Sequence, residues 1–162
     1  MIKNNIKSLK PELQNEMQES ISYEIKEREL RKYNVIIFNI PDDNNHKTDR
    51  NLLIKLFKDS NITSNDYKFY RTGTFEANKT RAIKVCFKNP EKSSLVLKNS
   101  KNLVKLLPEK AVITSDRTKN EIQYYKQIKT MLVEKQTQNP DEEYTIKYFH
   151  GVPKIILKKS KN

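Results

Sequence analysis

Arg71 and Arg81 bracket a polar loop, TFEANKT (74–80), between two stretches that read as neighbouring strands. Pairing of those strands would bring two guanidiniums together, and guanidiniums grip phosphate oxygens through forked hydrogen bonds. The plainer alternative is that each pairs with a nearby carboxylate, Asp66 or Glu76, at the surface. Lys84 lies between Ile83 and Val85 in RAIKVCF (81–87), whose alternation marks one buried face. Lys84 must then emerge on the other face, where an anion is expected to cover it. Tyr148, in YTIKYF (144–149), could pack in its own hairpin or stack on a base. Catalytic chemistry finds less to work with. Asp42, Asp43 and Asp49 sit together without a partner histidine or a second pair of carboxylates to complete a metal site. His46, His150 and Cys86 show no ligand spacing, and with only two glycines, Gly73 and Gly151, a glycine-rich phosphate loop is excluded. These residues predict a binder and not an enzyme, with no metal and no cofactor.

The charge supports the same reading. Lysine and arginine number 32 against 20 acidic residues in 162, a formal net charge of +12. Residues 1–32 hold seven basic and six acidic side chains, so almost all of the excess falls in residues 33–162, with 25 against 14. A folded region so unbalanced repels itself unless a polyanion screens it, and phosphate backbones are the usual polyanion. A lone cysteine allows no intramolecular disulfide, the amino-terminal MIKNNIKSLK has no apolar signal core, and no apolar run approaches membrane-spanning length. An intracellular, soluble protein is expected.

The elements that must position these residues can be read from periodicity. Residues 8–32 read as a helix capped by Ser8, with Pro11 in the first turn and a stripe of Ile6, Leu9, Leu13, Met17, Ile21 and Ile25. An isolated helix of this length is marginal in water, so a partner is expected, either its own domain or further copies in a coiled coil. NVIIFNIP (34–41) reads as a strand closed by proline. Next comes a helix capped by Thr48 or Asp49, with Leu52, Leu53, Leu56 and Phe57 on one face, ending at 61–65. DYKFYRTG (66–73) and RAIKVCF are the next two strands, and a second helix runs from Asn89–Pro90 through Leu107. AVITSD (111–116) is the fourth strand, with Asp116 expected to cap the helix after it. This strand, helix, strand, strand, helix, strand order predicts a ferredoxin-like α+β domain with two helices on one sheet face and a bare opposite face, for which nucleic acid is the commonest cover. Beyond it, a helix over 118–138 with Ile122, Tyr125, Ile128, Met131 and Leu132 on one side, then YTIKYF and PKIIL (153–157), predict a small helix-plus-hairpin domain. The expected organisation is 1–32, 33–116 and 117–162. Lys158, Lys159 and Lys161 read as a solvated tail.

Asn39-Ile40-Pro41 closes the first strand much as the hexamer motif of RNA-recognition domains ends. The aromatic platform of those domains is missing, because the corresponding positions are Ile36, Ala82 and Lys84. Base stacking on that platform, worth about 1–3 kcal/mol per base, is therefore not expected there. The whole chain resembles the first-open-reading-frame protein of LINE-class retrotransposons. The ordered matches are a charged helix running into Asn34-Val-Ile-Ile-Phe-Asn-Ile-Pro41, a strand ending Arg71-Thr72-Gly73, Arg81 ahead of Ile83-Lys-Val-Cys-Phe87, Thr114-Ser-Asp-Arg-Thr118, Tyr144-Thr-Ile-Lys-Tyr-Phe149, and Gly151-Val-Pro-Lys-Ile-Ile-Leu157. The resemblance implies a noncanonical RNA-recognition fold (RRM-type) and sequence-tolerant binding of single-stranded RNA, and also single-stranded DNA. It also implies nucleic-acid chaperone activity and a homotrimer joined by the coiled coil. The strand would lie in a basic cleft between the two small domains, in ribonucleoprotein particles of the cytoplasm and also the nucleus, with a role in transposition. The residues it implicates are Arg71, Lys79, Arg81, Arg117, Lys126, Tyr148 and Lys154, to which strand alternation adds Lys84. The family's coiled coil is usually much longer than residues 1–32, and its loop basics thin here to Lys79, which leaves the oligomeric state open. The rival expectation is a protein-interaction adaptor on the same fold.

Overall fold

The computed structural model describes residues 10–158. Ile6, Ser8, Leu9, Lys159 and Lys161, on which parts of the sequence reading rest, lie outside the described residues. The elements are α1 (Pro11–Arg31), β1 (Asn34–Phe38), α2 (His46–Phe57), β2 (Tyr67–Arg71), β3 (Ile83–Phe87), α3 (Pro90–Lys98), α4 (Ser100–Leu103), β4 (Val112–Ser115), α5 (Lys119–Gln138), β5 (Tyr144–Phe149) and β6 (Val152–Leu157). They divide into two compact units between Asp116 and Arg117. Among the described residues no helix is long and apolar enough to cross a membrane.

The first unit is built on a four-stranded antiparallel sheet in the order β2-β3-β1-β4. Alternation sorts its side chains. Val35, Ile37, Ile83, Val85, Phe87, Tyr67 and Ile113 join Leu53, Leu56 and Phe57 of α2 and Val96 of α3 in one buried cluster. Phe57 anchors it, meeting the Tyr67 and Phe87 rings edge-on at 5.4 and 5.8 Å. Both helices therefore cover one face, and Asn34, Ile36, Phe38, Lys68, Tyr70, Lys84, Cys86, Val112 and Thr114 alternate onto the other.

Local chemistry sets the element ends, not always where the sequence suggested. β1 stops because Asn39 turns left-handed (φ 62°), its side-chain Nδ2 donating to the Lys110 carbonyl at 2.9 Å. Asn45, and not Thr48 or Asp49, caps α2, accepting from the Lys47 amide. Asn61, at φ 54°, turns the chain out of the short 3-10 turn after α2. Asn89 caps α3 as expected, with Pro90 in the first turn. The single helix expected through Leu107 is instead α3, α4 and a 3-10 turn over Val104–Leu106, broken at Asn99. α1 begins with Lys10 at its cap position, where no side chain caps it.

The second unit is α5 with the antiparallel hairpin β5-β6, turned by His150 and Gly151, both at positive φ as a two-residue hairpin turn requires. Thr118 caps α5 with a reciprocal bond between Glu121 and the Thr118 amide, so the expected cap, Asp116, is displaced from that role. Along the apolar side of α5, Ile128 is buried, Tyr125 and Leu132 are partly buried, and Ile122 and Met131 are exposed.

Candidate nucleic-acid interface

Arg71 closes β2, and its fork is completely occupied. Nε and Nη2 donate to the two oxygens of Asp49, Nη1 to the carbonyls of Ile40 and Arg81, and Nη2 also to the Pro41 carbonyl, at 2.6–2.9 Å. The side chain is 6% exposed and that of Asp49 is 7% exposed. All five donors of the guanidinium are thus satisfied inside the first unit. Arg71 rivets the turn after β1 to α2 and β2; a phosphate would have to displace Asp49 to reach it. The surface pairing with Asp66 weighed for it is also replaced, since Asp66 accepts from Thr63.

Arg81 is held next to it. Its Nε and Nη2 meet the two oxygens of Asp42 at 2.7 and 3.2 Å, Nη2 also reaches Asn44, and the guanidinium lies 5.3 Å from the Phe75 ring centre. The hydrogen bond from Arg81 is the main reason the Asp42 carboxyl falls to about 2, helped by the Asn44 amide and the charges of Arg71 and Arg81 against the opposing effect of burial. The two arginines do converge, as strand pairing predicted, but around two carboxylates of their own chain. Lys79 pairs with Glu76 across the loop at 2.9 Å and is exposed.

Lys84 emerges opposite the core, as alternation predicted, and an anion does cover it. The anion is Asp116, at 2.8 Å. Asp116 also accepts from Arg31 Nη1 at 2.7 Å and Asn34 Nδ2 at 2.8 Å. Burial would raise the Asp116 carboxyl, but these donors and the charges of Lys84 and Arg31 outweigh it and hold it below its ordinary value. The same pairing holds Lys84 above its ordinary value despite burial. Asp116 thereby ties the end of α1 to β1, β3 and β4.

The open sheet face is less bare of aromatics than the platform positions suggested. Register places Tyr70 beside Lys84, which faces Ile36, and Phe38 beside Val112. Tyr70, Phe38 and Val112 are exposed, at 50%, 43% and 44%. Tyr70 was missed because β2 lies outside the two strands that carry the familiar motifs. Its alternation with Phe69 was the available signal.

In the second unit two of the predicted residues, Arg117 and Tyr148, come together. The Arg117 guanidinium lies 5.3 Å from the Tyr125 ring centre and 5.7 Å from that of Tyr148. The two rings stack 6.3 Å apart, within 19° of parallel. Lys129, one turn beyond Tyr125, adds a second cation at 5.3 Å from the same ring. Tyr148 is half exposed. Lys126 and Lys154 are exposed nearby in sequence and on the hairpin, and Lys154 lies 5.9 Å from the Phe149 ring. Tyr125 and Lys129 were not singled out as binding residues, because Tyr125 fits the apolar stripe of α5 equally well. Only the hairpin pairing, which sets Tyr148 opposite Pro153, fixes the second ring.

No protein-family model matches this chain, and no curated protein shows significant similarity to it.

Proposed function

We propose that this chain binds single-stranded RNA, and single-stranded DNA, without sequence preference, gripping the backbone with lysines and stacking bases on aromatic rings. The observation that carries this reading is the Arg117–Tyr125–Tyr148 cluster, with Lys129 against it, in a chain of net charge +12. A basic surface interleaved with accessible rings suits single strands, because every base offers a π-face and every nucleotide a phosphate. Lys126 and Lys154 are exposed cations of the same unit that can join it, and Lys79 is an exposed cation of the first unit, paired with Glu76. The strand order β2-β3-β1-β4 with both helices on one face supports an RRM-type first domain. With the ordered motifs from Asn34 to Leu157, it supports kinship with the first-open-reading-frame proteins of LINE-class retrotransposons. A chaperone role in a retrotransposon ribonucleoprotein and a trimer through α1 come with that kinship. A binding role is favoured over catalysis because the acidic residues a hydrolase would recruit are already engaged: Asp42 by Arg81, Asp49 by Arg71 and Asp43 by the Thr48 hydroxyl.

Anisotropy titrations of unstructured RNA and of duplex DNA across a salt series test the proposal. With roughly 5–8 phosphates neutralised, the log–log salt slope for RNA is expected at about −3.5 to −5.5. A slope near zero, or strong preference for one short motif, would overturn it. The exposed Phe38 and Val112 on the open sheet face favour one second reading, a protein-interaction adaptor. That reading predicts weak RNA binding at every salt concentration.

A further inference from the structure

β2 is an outer strand of its sheet, and between its free edge and α2 lies a groove of about 470 Å³, within the range of small-molecule sites. Three observations single it out. First, the His46 and Phe69 rings lining it stack 4.3 Å apart and within 5° of parallel, with Phe69 partly buried and His46 exposed, so a further ring can extend the stack. Second, Arg50, one turn along α2 from His46, and Lys68 of β2 line the same groove. Whereas Arg71, Arg81 and Lys84 are all paired with aspartates, neither Arg50 nor Lys68 has an ion pair among the described residues. Third, Tyr67 is 6% exposed and its hydroxyl has no hydrogen-bond partner among the described residues, yet the oxygen is not sealed from solvent. Burial pushes this phenol up, and the Arg50 charge partly offsets that, which puts the guanidinium within electrostatic reach of the ring. A nearly buried donor left open beside two uncompensated cations and a stack open at one end is an arrangement for an anion that carries an aromatic ring.

We propose that this groove binds a nucleotide, its base stacked on His46 and its phosphate held by Arg50 and the Tyr67 hydroxyl, with Lys68 adding positive charge from the strand edge. The ligand is either a free mononucleotide or the phosphorylated 5′ end of a strand. The site shares no residue with the Arg117–Tyr125–Tyr148 cluster.

Isothermal titration of the full chain with 5′-AMP, adenosine and inorganic phosphate tests it. Saturable 5′-AMP binding is expected, with adenosine and phosphate each weaker by at least about tenfold, since each keeps only half the contacts. Arg50→Gln should weaken 5′-AMP by at least about tenfold, the worth of one charge-assisted contact. Because Arg50 is exposed, the variant should unfold at the parent's denaturant concentration and hold a long RNA within about twofold of parent affinity. His46→Ala should reduce 5′-AMP affinity to that of inorganic phosphate. Absence of saturable 5′-AMP binding at millimolar concentration, or 5′-AMP affinity unchanged in both variants, overturns the proposal. A decamer RNA with a 5′-phosphate, compared with its 5′-hydroxyl form, separates the sources. A preference for the phosphorylated decamer that Arg50→Gln abolishes identifies a strand end; equal decamers with intact 5′-AMP binding identify a free nucleotide. Loss of long-RNA binding with 5′-AMP binding intact would sink the single-strand reading and leave this site standing.

Discussion

Truncating Arg71 to alanine strips Asp49 of two donors and leaves the carbonyls of Ile40, Pro41 and Arg81 without theirs. Breaking one side of a buried ion pair costs about 3–5 kcal/mol, so Arg71→Ala should lower the denaturation midpoint severely before RNA binding is even measured. The sequence alone suggested a phosphate contact or a surface ion pair at Arg71; the hydrogen-bond geometry gives it a structural role first. Arg71→Lys should recover only part of the loss, because an ammonium cannot reproduce the fork. A variant with unchanged stability would remove Arg71 from its structural role. The neighbouring pair predicts a pH dependence. Asp42 sits at about 2 in the folded chain against an ordinary 3.8. A carboxyl depressed by folding contributes stability that is complete above its unfolded value and is lost as pH falls through its folded value. Denaturation midpoints should therefore decline from just above pH 3.8 down to about 2, and Asp42→Asn should flatten that part of the decline. An identical acid profile in the variant would show that the Arg81 bond does not set the Asp42 affinity for protons.

At the scale of elements, the second unit separates stacking from charge. α5 carries Tyr125 and Lys129 one turn apart, and β5 carries Tyr148 to the same cluster. Because Tyr148 is half exposed, Tyr148→Ala should fold normally and weaken single strands of any sequence by roughly 1–3 kcal/mol without changing the salt slope. Lys126→Ala, Lys129→Ala or Lys154→Ala should each reduce the slope by about 0.7 instead. Titrations at three salt concentrations distinguish the two patterns; a tyrosine variant that binds like the parent would mean the ring only packs in its hairpin. The break at Asn99 carries a different lesson. Summed propensity favours one helix over 90–107, yet Leu103 must be buried and Leu107 must pack on the core while Leu106 is left exposed, and the chain meets that demand by breaking into shorter turns.

For the molecule as a whole, α1 poses the assembly question. None of its residues is buried, and Leu13, Met17, Ile21 and Ile25 are each about half exposed along one stripe. Its carboxy-terminal end is nonetheless fixed: Arg31 meets Asp116, the Lys32 carbonyl accepts from Ser93, and the Tyr33 carbonyl accepts from the Phe87 amide at 2.8 Å. If copies associate as proposed, this open stripe is the surface they would share. Deleting residues 1–30 keeps those anchors, so the product should remain folded as a monomer and bind RNA more weakly, through loss of linked sites on one strand. Light scattering of both proteins over a concentration series checks this. A strictly monomeric parent at high micromolar concentration would refute the oligomer and leave the single-strand reading untouched.

The sequence by itself determined the periodic part of this protein. Alternation at Ile83, Lys84 and Val85 fixed which face each would take, the 3–4 spacing of Leu53, Leu56 and Phe57 fixed the core face of α2, and Asn89–Pro90 fixed where α3 begins, because each is a local rule read within a few residues. The net charge was equally present in composition. Only the tertiary structure decided pairing. Asp49 lies 22 residues from Arg71, Asp42 lies 39 from Arg81, and Asp116 lies 85 from Arg31. No spacing rule in one sequence joins residues so far apart, so Asp49, Asp42 and Asp116 could not be read as the counter-ions of Arg71, Arg81 and Lys84. Arg117, Tyr125 and Tyr148 were brought into contact by the packing of α5 against its hairpin. Electrostatics depends on distance in space, and space is what folding adds to the chain.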